Sequence, residues 1–256
     1  PGGKPTAVVA RACDTRLLAV RLAERSLGRE DVVVLAVGCE GLVDPADLGV
    51  GWTRITGVER EKGAVVVATD AGVRELRLPE HLLPRCVACP VPQPVVEDER
   101  FGEFPGTPPD REDPLRARVA EVEALSRRER RAFFEEAFAR CIRCYACRQV
   151  CALCDCERCT ADETRPQWIP RSTTGRENEL FLTLRAMHLA GRCTECGACE
   201  RACPMGLPLM ALNTKLALEV ESMFGHRAGL DPEGLAPLAL FREGDPDLPG
   251  HGGDRR

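Results

Sequence analysis

Eight cysteines fall in two strings of identical spacing. CIRCYACRQVC carries Cys141, Cys144, Cys147 and Cys151; CTECGACERACP carries Cys193, Cys196, Cys199 and Cys203, followed by Pro204. The spacing C-x2-C-x2-C-x3-C is the thiolate run of a [4Fe-4S] cluster. Three thiolates two residues apart wrap one corner of an iron-sulfur cube, and the fourth points past it. Where two such runs share a chain, the fourth cysteine ligates the other cluster. The expected sets are therefore Cys141, Cys144, Cys147 and Cys203 for cluster I, and Cys193, Cys196, Cys199 and Cys151 for cluster II. Zinc would need only two C-x2-C pairs and would leave cysteines over.

Seven cysteines remain. Cys13 and Cys39 each follow a short apolar strand, TAVVA at 6–10 and VVVLAV at 32–37, in what reads as one β-α-β unit. Parallel strands put their C-terminal ends on one sheet edge, where such folds place ligands. Cys86 and Cys89 form a C-x2-C pair after the next strands, so four thiolates can meet there around a third cluster. The alternative is that Cys13 and Cys39 are small buried residues and that Cys86 and Cys89 hold zinc or nothing. Cys154, Cys156 and Cys159, in CALCDCERC, put three thiolates within six residues. That density points to an additional cluster or a zinc, with a fourth ligand from Asp155, Asp162, His188 or a partner subunit. The alternative is a redox-inert crowd beside cluster II. His188 is expected to pack or hydrogen-bond there instead of ligating, and Tyr145 and Trp168 to act as apolar shielding. Shielding and hydrogen bonds to sulfur set a cluster's potential within about −700 to +450 mV.

The elements that position these thiolates are legible in outline. A helix over about 15–27, capped by Asp14 or Thr15 and presenting Leu18 and Leu22, joins the two N-terminal strands. AVVVA at 64–68 and RELRL at 74–78 predict a hairpin turning at Asp70-Ala71-Gly72. Seven prolines in 90–114 mark a linker. Beyond it the pattern is helical. The capping boxes Ser126-x-x-Glu129 and Thr174-x-x-Glu177 open two helices, one showing Phe134 and Phe138, the other carrying Leu180, Leu184 and Met187 to a stop at Gly191. Pro208 begins a third, with Leu209, Leu212, Leu216 and Val220. The expected fold class is α+β: a small α/β iron-sulfur domain over 1–95, a linker over 96–114, an α-helical two-cluster ferredoxin domain over 115–225, and an extended or disordered tail over 226–256, above all from Gly244. With all eight thiolates between Cys141 and Cys203, the two-cluster core is expected to keep its irons without residues 1–110.

Composition narrows the function. Fifteen cysteines is an odd number for a disulfide framework, and 256 residues is long for a disulfide scaffold. Cluster ligation needs reduced thiolates, so the expected compartment is the cytoplasm. The formal charge of −5 gives no basic footprint for nucleic acid, and no apolar run is long enough for membrane insertion. The cations are nearly all arginine; Lys4, Lys62 and Lys215 are the lysines. The chain starts at Pro1, as a trimmed product or a piece of a longer subunit would. No nucleophile is paired with a base, and neither GVERE nor DAGVRE supplies a Gly-rich phosphate loop for FAD.

GKPTAVVARACDTRLLA, VGCEGLVDP and RCVACPVP resemble the iron-sulfur part of the deazaflavin-reducing hydrogenase and dehydrogenase beta-subunit family, over roughly residues 4–95. In that family a cysteine after the first strand, one in a C-x-G turn and a later C-x2-C surround one cluster. The resemblance implies that Cys13, Cys39, Cys86 and Cys89 hold cluster III. CIRCYACRQVC and HLAGRCTECGACERACPMGLPL resemble the helical dicluster ferredoxin modules of heterodisulfide reductase, formate dehydrogenase and hydrogenase subunits. Ala152 departs from that pattern by replacing the proline after Cys151. The family's larger catalytic portion has no counterpart in the sequence. The resemblance implies a chain with two or three [4Fe-4S] clusters, and room for a fourth, relaying electrons between partner subunits of a redox complex. Two other readings follow from the residues: a flavin-dependent catalytic subunit reducing a deazaflavin or nicotinamide coenzyme, and a zinc-stabilised scaffold.

Overall fold

The computed structural model describes residues 4–48, 54–61, 63–106 and 110–241. The expected disordered stretch from Gly244 lies outside them, as do His251, Pro108 and Pro109. The fold is mixed α+β. Strand β1 (Thr6–Arg11), helix α1 (Ala12–Ala23) and strand β2 (Val32–Val37) form a β-α-β unit in which β1, at the sheet edge, and β2, at its centre, pair in parallel, Val8 opposite Val34. A separate antiparallel sheet follows: β3 (Ile55–Glu61), β4 (Ala64–Thr69) and β5 (Gly72–Arg77). The short helix α2 (Pro84–Val87) carries Cys86, and strand β6 (Glu99–Phe101) returns to pair in parallel with β2.

The helical half comprises α3 (Pro114–Ala124), α4 (Arg127–Ala139), the one-turn α5 (Ala146–Gln149), α6 (Gly175–His188), the one-turn α7 (Ala198–Arg201) and α8 (Leu209–Phe224). Both capping boxes form: Ser126 with Glu129, and Thr174 with Glu177. Gly225, at φ 63°, ends α8 in the left-handed conformation that suits glycine. Among the described residues no helix is long and apolar enough to cross a membrane.

Several elements differ from the sequence reading. Helix α1 begins at Ala12, three residues early, because Asp14 accepts from the backbone N–H and guanidinium of Arg11 and closes the first turn there. The stretch expected as linker is partly sheet. Asp98 exchanges hydrogen bonds with Val34, its carboxylate and amide both engaged, and Val96 is buried against Val32 and Val34. Strand β3 was not expected, and it gives the hairpin a third member. On α6 the buried face is Asn178, Phe181, Leu182, Arg185 and Ala186, while Leu180 and Met187 point outward. Apolar residues ring this helix, so periodicity alone could not pick its inner face. Trp168 is 60% exposed and shields nothing; Ile169 beside it is buried instead.

Residues 226–241 were expected as tail, yet they fasten the two halves together. Helix α1 has two buried sides. Leu18, Ala19 and Leu22 pack on the parallel sheet, and Leu17 and Val20 pack on Leu153, Leu189 and Ala228. Between them Arg16, wholly buried, donates to the carbonyl of Ala228 at 2.7 Å and 3.1 Å and to that of Thr194 at 3.4 Å. Burial pulls its pKa down to about 10, so the guanidinium stays charged at neutral pH. Gly229 is required beside it, since a Cβ there would lie 2.2 Å from the Arg16 carbonyl oxygen. Arg192 adds an ion pair to Glu24, and Asp155 accepts from Arg21 at 3.1 Å.

Replacing Arg16 strands those carbonyls in a dry interface. Arg16→Leu should lower the stability of the anaerobically purified protein by about 2–4 kcal/mol. Arg16→Lys should recover only part of this, because one ammonium cannot reach both carbonyls in the guanidinium's geometry. The unfolding midpoint measures both; an unchanged midpoint for Arg16→Leu would discard the fastener role.

Candidate metal centres

The two cysteine strings fold into the same loop. In the first, Arg143 and Tyr145 have φ of 55° and 61°; in the second, Glu195 and Gly197 have φ of 60° and 69°. Each pair of left-handed residues throws the chain back on itself, and a one-turn helix, α5 or α7, follows at once. The left-handed conformation costs a non-glycine residue about 1–2 kcal/mol. Tyr145 meets that cost through packing: its ring stands edge-on to Phe181 at 5.3 Å, with the Arg148 guanidinium 4.7 Å from its centroid. In each loop the first cysteine sulfur accepts a backbone N–H two residues on: Arg143 to Cys141, and Glu195 to Cys193 at 3.4 Å. Helices α5 and α7 pack together, so the loops face one another.

Two cavities lie at this junction. One is lined by Cys141, Cys144, Cys147 and Cys203, closed by Phe181 and Leu207, and encloses about 330 Å³, open solvent at its mouth included. The other is lined by Cys151, Cys193, Cys196 and Cys199 and encloses about 350 Å³ on the same basis. Each cavity thus takes three sulfurs from one string and the last sulfur of the other. Asn213 of α8 donates to Cys199 Sγ at 3.6 Å. Leu17 of α1 forms part of the second cavity's wall. The wall of the second cavity therefore draws on residues 1–110 as well as on the helical half.

Burial raises the thiol pKa to about 12 at Cys193 and about 11 at Cys199. Cys151 moves the other way, down to about 6, chiefly through a hydrogen bond from Cys154. Filling either cavity with a thiolate-bound metal group must therefore displace protons. The protein supplies compensating charge. Arg185, nearly buried on α6, donates from Nη2 to the Cys147 carbonyl at 2.9 Å, and its Nε finds no protein partner. It lies beside Cys199, Cys147, Cys154 and Cys151, sulfurs from both cavities. Arg143 is held over the first cavity by Asn178, Pro170 and Ser172. An orphaned guanidinium N–H between two thiol quartets fits an anionic group of the [4Fe-4S] kind.

The N-terminal cysteines gather at the C-terminal edge of the parallel sheet. Cys13 lies in the first turn of α1, and Cys39 just past β2. The Cys39 sulfur accepts from Gly41 N–H at 3.4 Å, the same two-residue N–H···S turn as in the ferredoxin-type loops. Gly41 has φ 106° and crowds against α2: a Cβ there would come within 3.3 Å of the Cys86 Cβ. Cys86 lies near both Cys39 and Cys89, and Cys13 near Cys86. Buried Arg85 stands beside Cys13 and Cys86 with Nη1 unpartnered, and burial raises the Cys13 pKa to about 11. Cys154, Cys156 and Cys159 line a larger cavity with His188 at its α6 wall. Nowhere among the described residues do three Cys, His, Asp or Glu side chains close on a single ion. Sequence reasoning missed Arg143, Arg185, Asn213 and Arg85, because hydropathy patterns assign long polar residues to solvent.

Paired loops and two thiol-lined cavities in a helical frame define a dicluster iron-sulfur module. Residues 140–208 match the 4Fe-4S dicluster domain family, which supports at least two [4Fe-4S] clusters. The chain is also 36% identical over 100 residues to a Methanocaldococcus jannaschii protein named F420-dependent formate dehydrogenase subunit beta. It is 38% identical over 103 residues to F420-dependent formate dehydrogenase 1 subunit beta of Methanococcus maripaludis. The matches cover 39% and 40% of this chain and 25% of each relative, so the chain spans about a quarter of the length of these proteins. This is an iron-sulfur protein similar to formate dehydrogenase beta subunits, as the cysteine patterns implied.

Arg185 carries the prediction for this centre. With clusters bound in the two cavities, its charge would stabilise the reduced, more negative state of both. Arg185→Leu should lower both midpoint potentials by roughly 50–100 mV, the scale of one charge acting through a medium of effective dielectric near 20. Redox titration followed by EPR reads this. Unshifted potentials with intact clusters would reduce Arg185 to a packing role.

Proposed function

We propose that this chain is the electron-transfer subunit of a cytoplasmic multisubunit oxidoreductase, of the formate dehydrogenase or hydrogenase kind, and that it relays electrons between partner subunits. In this reading Cys141, Cys144, Cys147 and Cys203 hold cluster I, and Cys193, Cys196, Cys199 and Cys151 hold cluster II. Cys13, Cys39, Cys86 and Cys89 hold cluster III in a small α/β domain ahead of the helical dicluster domain. The thiolates fix the clusters, the N–H···S turns and arginines offset their charge, and the apolar walls exclude water.

The observation that carries the proposal lies on α1. Cys13 belongs to the N-terminal thiol group, and Leu17, four residues on, lines the cavity of cluster II. One helical turn rises about 5.4 Å, so the third site sits against the second. Crossed ligation in turn sets the first cavity beside the second. Sites so arranged form a continuous route, which suits a relay more than an isolated catalyst or a zinc scaffold. Coenzyme reduction then falls to a partner or to a longer form of the chain; the names of the relatives carry F420 dependence.

Two measurements test this. Anaerobically purified protein should contain acid-labile sulfide matching its iron, with at least about 12 irons, four for each of the three cubane clusters, and should accept electrons from a low-potential dye without reducing a nicotinamide or deazaflavin unaided. Stoichiometric zinc without sulfide would overturn it, and steady coenzyme turnover with bound flavin would favour the catalytic reading. Changing Cys86 and Cys89 together to Ser should remove about four irons and leave the dicluster EPR signals.

Crossed ligation makes a separate forecast. Cys203→Ala should perturb the cluster bound by Cys141, Cys144 and Cys147, and Cys151→Ala the cluster bound by the second string. EPR showing each substitution confined to the cluster of its own string would reverse the assignment.

A further inference from the structure

A further cavity belongs to neither thiol quartet. It opens between the 153–162 loop and α6, enclosing about 900 Å³ with open solvent included, and Cys154, Cys156 and Cys159 all line it. Each of the three lies near an arginine, although Arg185 is shared with the dicluster cysteines. Arg148 donates to Cys159 and pairs with Asp162 at 2.8 Å; Arg192 lies by Cys156, and Arg185 by Cys154. All three arginines line the same cavity. Three thiols converging on one space, each beside a fixed cation, is a site built for an anionic, thiolate-bound group.

The lining of the cavity points to one kind of group. Two other cavities of this protein are ringed by cysteines, and both fall in the stretch where the dicluster match supports [4Fe-4S] clusters. This cavity repeats that lining with three thiols.

We propose that Cys154, Cys156 and Cys159 hold a further [4Fe-4S] cluster by three thiolates, with its fourth corner facing His188 on the last turn of α6. The inference rests on the reading of this chain as an electron relay. Cys151 lines the cavity of cluster II and Cys154 lines this one, and the two thiols are hydrogen-bonded neighbours. The two sites are therefore adjacent along the chain and in space. Cys156 is exposed, so the new cluster ends the route at the protein surface, where a partner's electron carrier can reach it.

The test uses the whole chain, purified anaerobically. Cys156→Ser with Cys159→Ser should lower iron and labile sulfide together by about four per chain, leaving zinc unchanged and the dicluster EPR signals in place. Loss of zinc in place of iron, or no loss of either, overturns this inference while leaving the relay intact if Cys86→Ser with Cys89→Ser still removes its own four. Should the first double variant fail to fold, His188→Cys provides the second arm. It offers a fourth thiolate at the open corner, so the reduced protein should keep its iron and show a changed signal from one cluster. A spectrum identical to wild type in every component overturns the assignment.

Discussion

Sulfur that carries negative charge must be buried here without stranding that charge, and the rest of the structure answers to this requirement. With burial as the largest cause, the Cys193 thiol is pushed up to about 12 and the Cys13 thiol up to about 11. The offset comes from two sources, backbone N–H groups turned onto sulfur and arginines held inside the fold. Arg85 and Arg185 each keep one N–H free of protein partners beside cysteines. Arginine suits this task where lysine does not, because its fork can satisfy a carbonyl with one nitrogen and still present another to a cluster. Arg185 does so with the Cys147 carbonyl, and the near absence of lysine from this chain takes on a structural meaning.

The same requirement explains the repeated loop. A cubane needs its thiolates on diverging directions from a short stretch of chain, and the two left-handed residues in each string supply the reversals. Glycine occupies one of the four positions, Gly197, and the other three are Arg143, Tyr145 and Glu195. Each non-glycine residue there is fixed by its side chain. Arg143 is tied to three oxygens, Tyr145 is clasped between Phe181 and Arg148, and Glu195 is buried near Arg16 and Arg227. Strain in the loop is thus countered by contacts made outside it.

What the sequence disclosed followed from local rules. Cysteine spacing, capping boxes, the β-branched run of β2 and the turn glycine at 72 are signals contained within a dozen residues, and each reappears in the structure. The features it hid depend on long-range pairs. Arg16 meets Ala228 across 212 positions, and nothing near either residue announces the bond. Strand β6 is three residues of ERF, too short and too charged for a periodicity to form, and it exists because Asp98 is held by Val34. Asn178, Asn213 and Thr214 occupy core faces of α6 and α8, where a hydropathy pattern expects leucine. All three sit where the helices meet the cysteine loops or their supports, so the local rule fails at the site itself.

Helix α1 then gains a role beyond connecting two strands. Its first turn holds Cys13, its second holds Arg16 and Leu17, and its last residues lie near Glu24 and the Arg192 pair. One side faces the parallel sheet and another faces the dicluster loops, so the helix is the shared wall of both halves. A hinge at this wall would vary the distance between the thiol groups, and electron transfer falls steeply with distance. Arg16, Gly229 and the Arg192–Glu24 pair oppose such a hinge by fixing the helix to the 191–194 turn and the 226–229 segment. In the proposed relay, rigid docking of the two halves would be part of the conduction path, and the fold places buried polar contacts where such a relay has the least tolerance for movement.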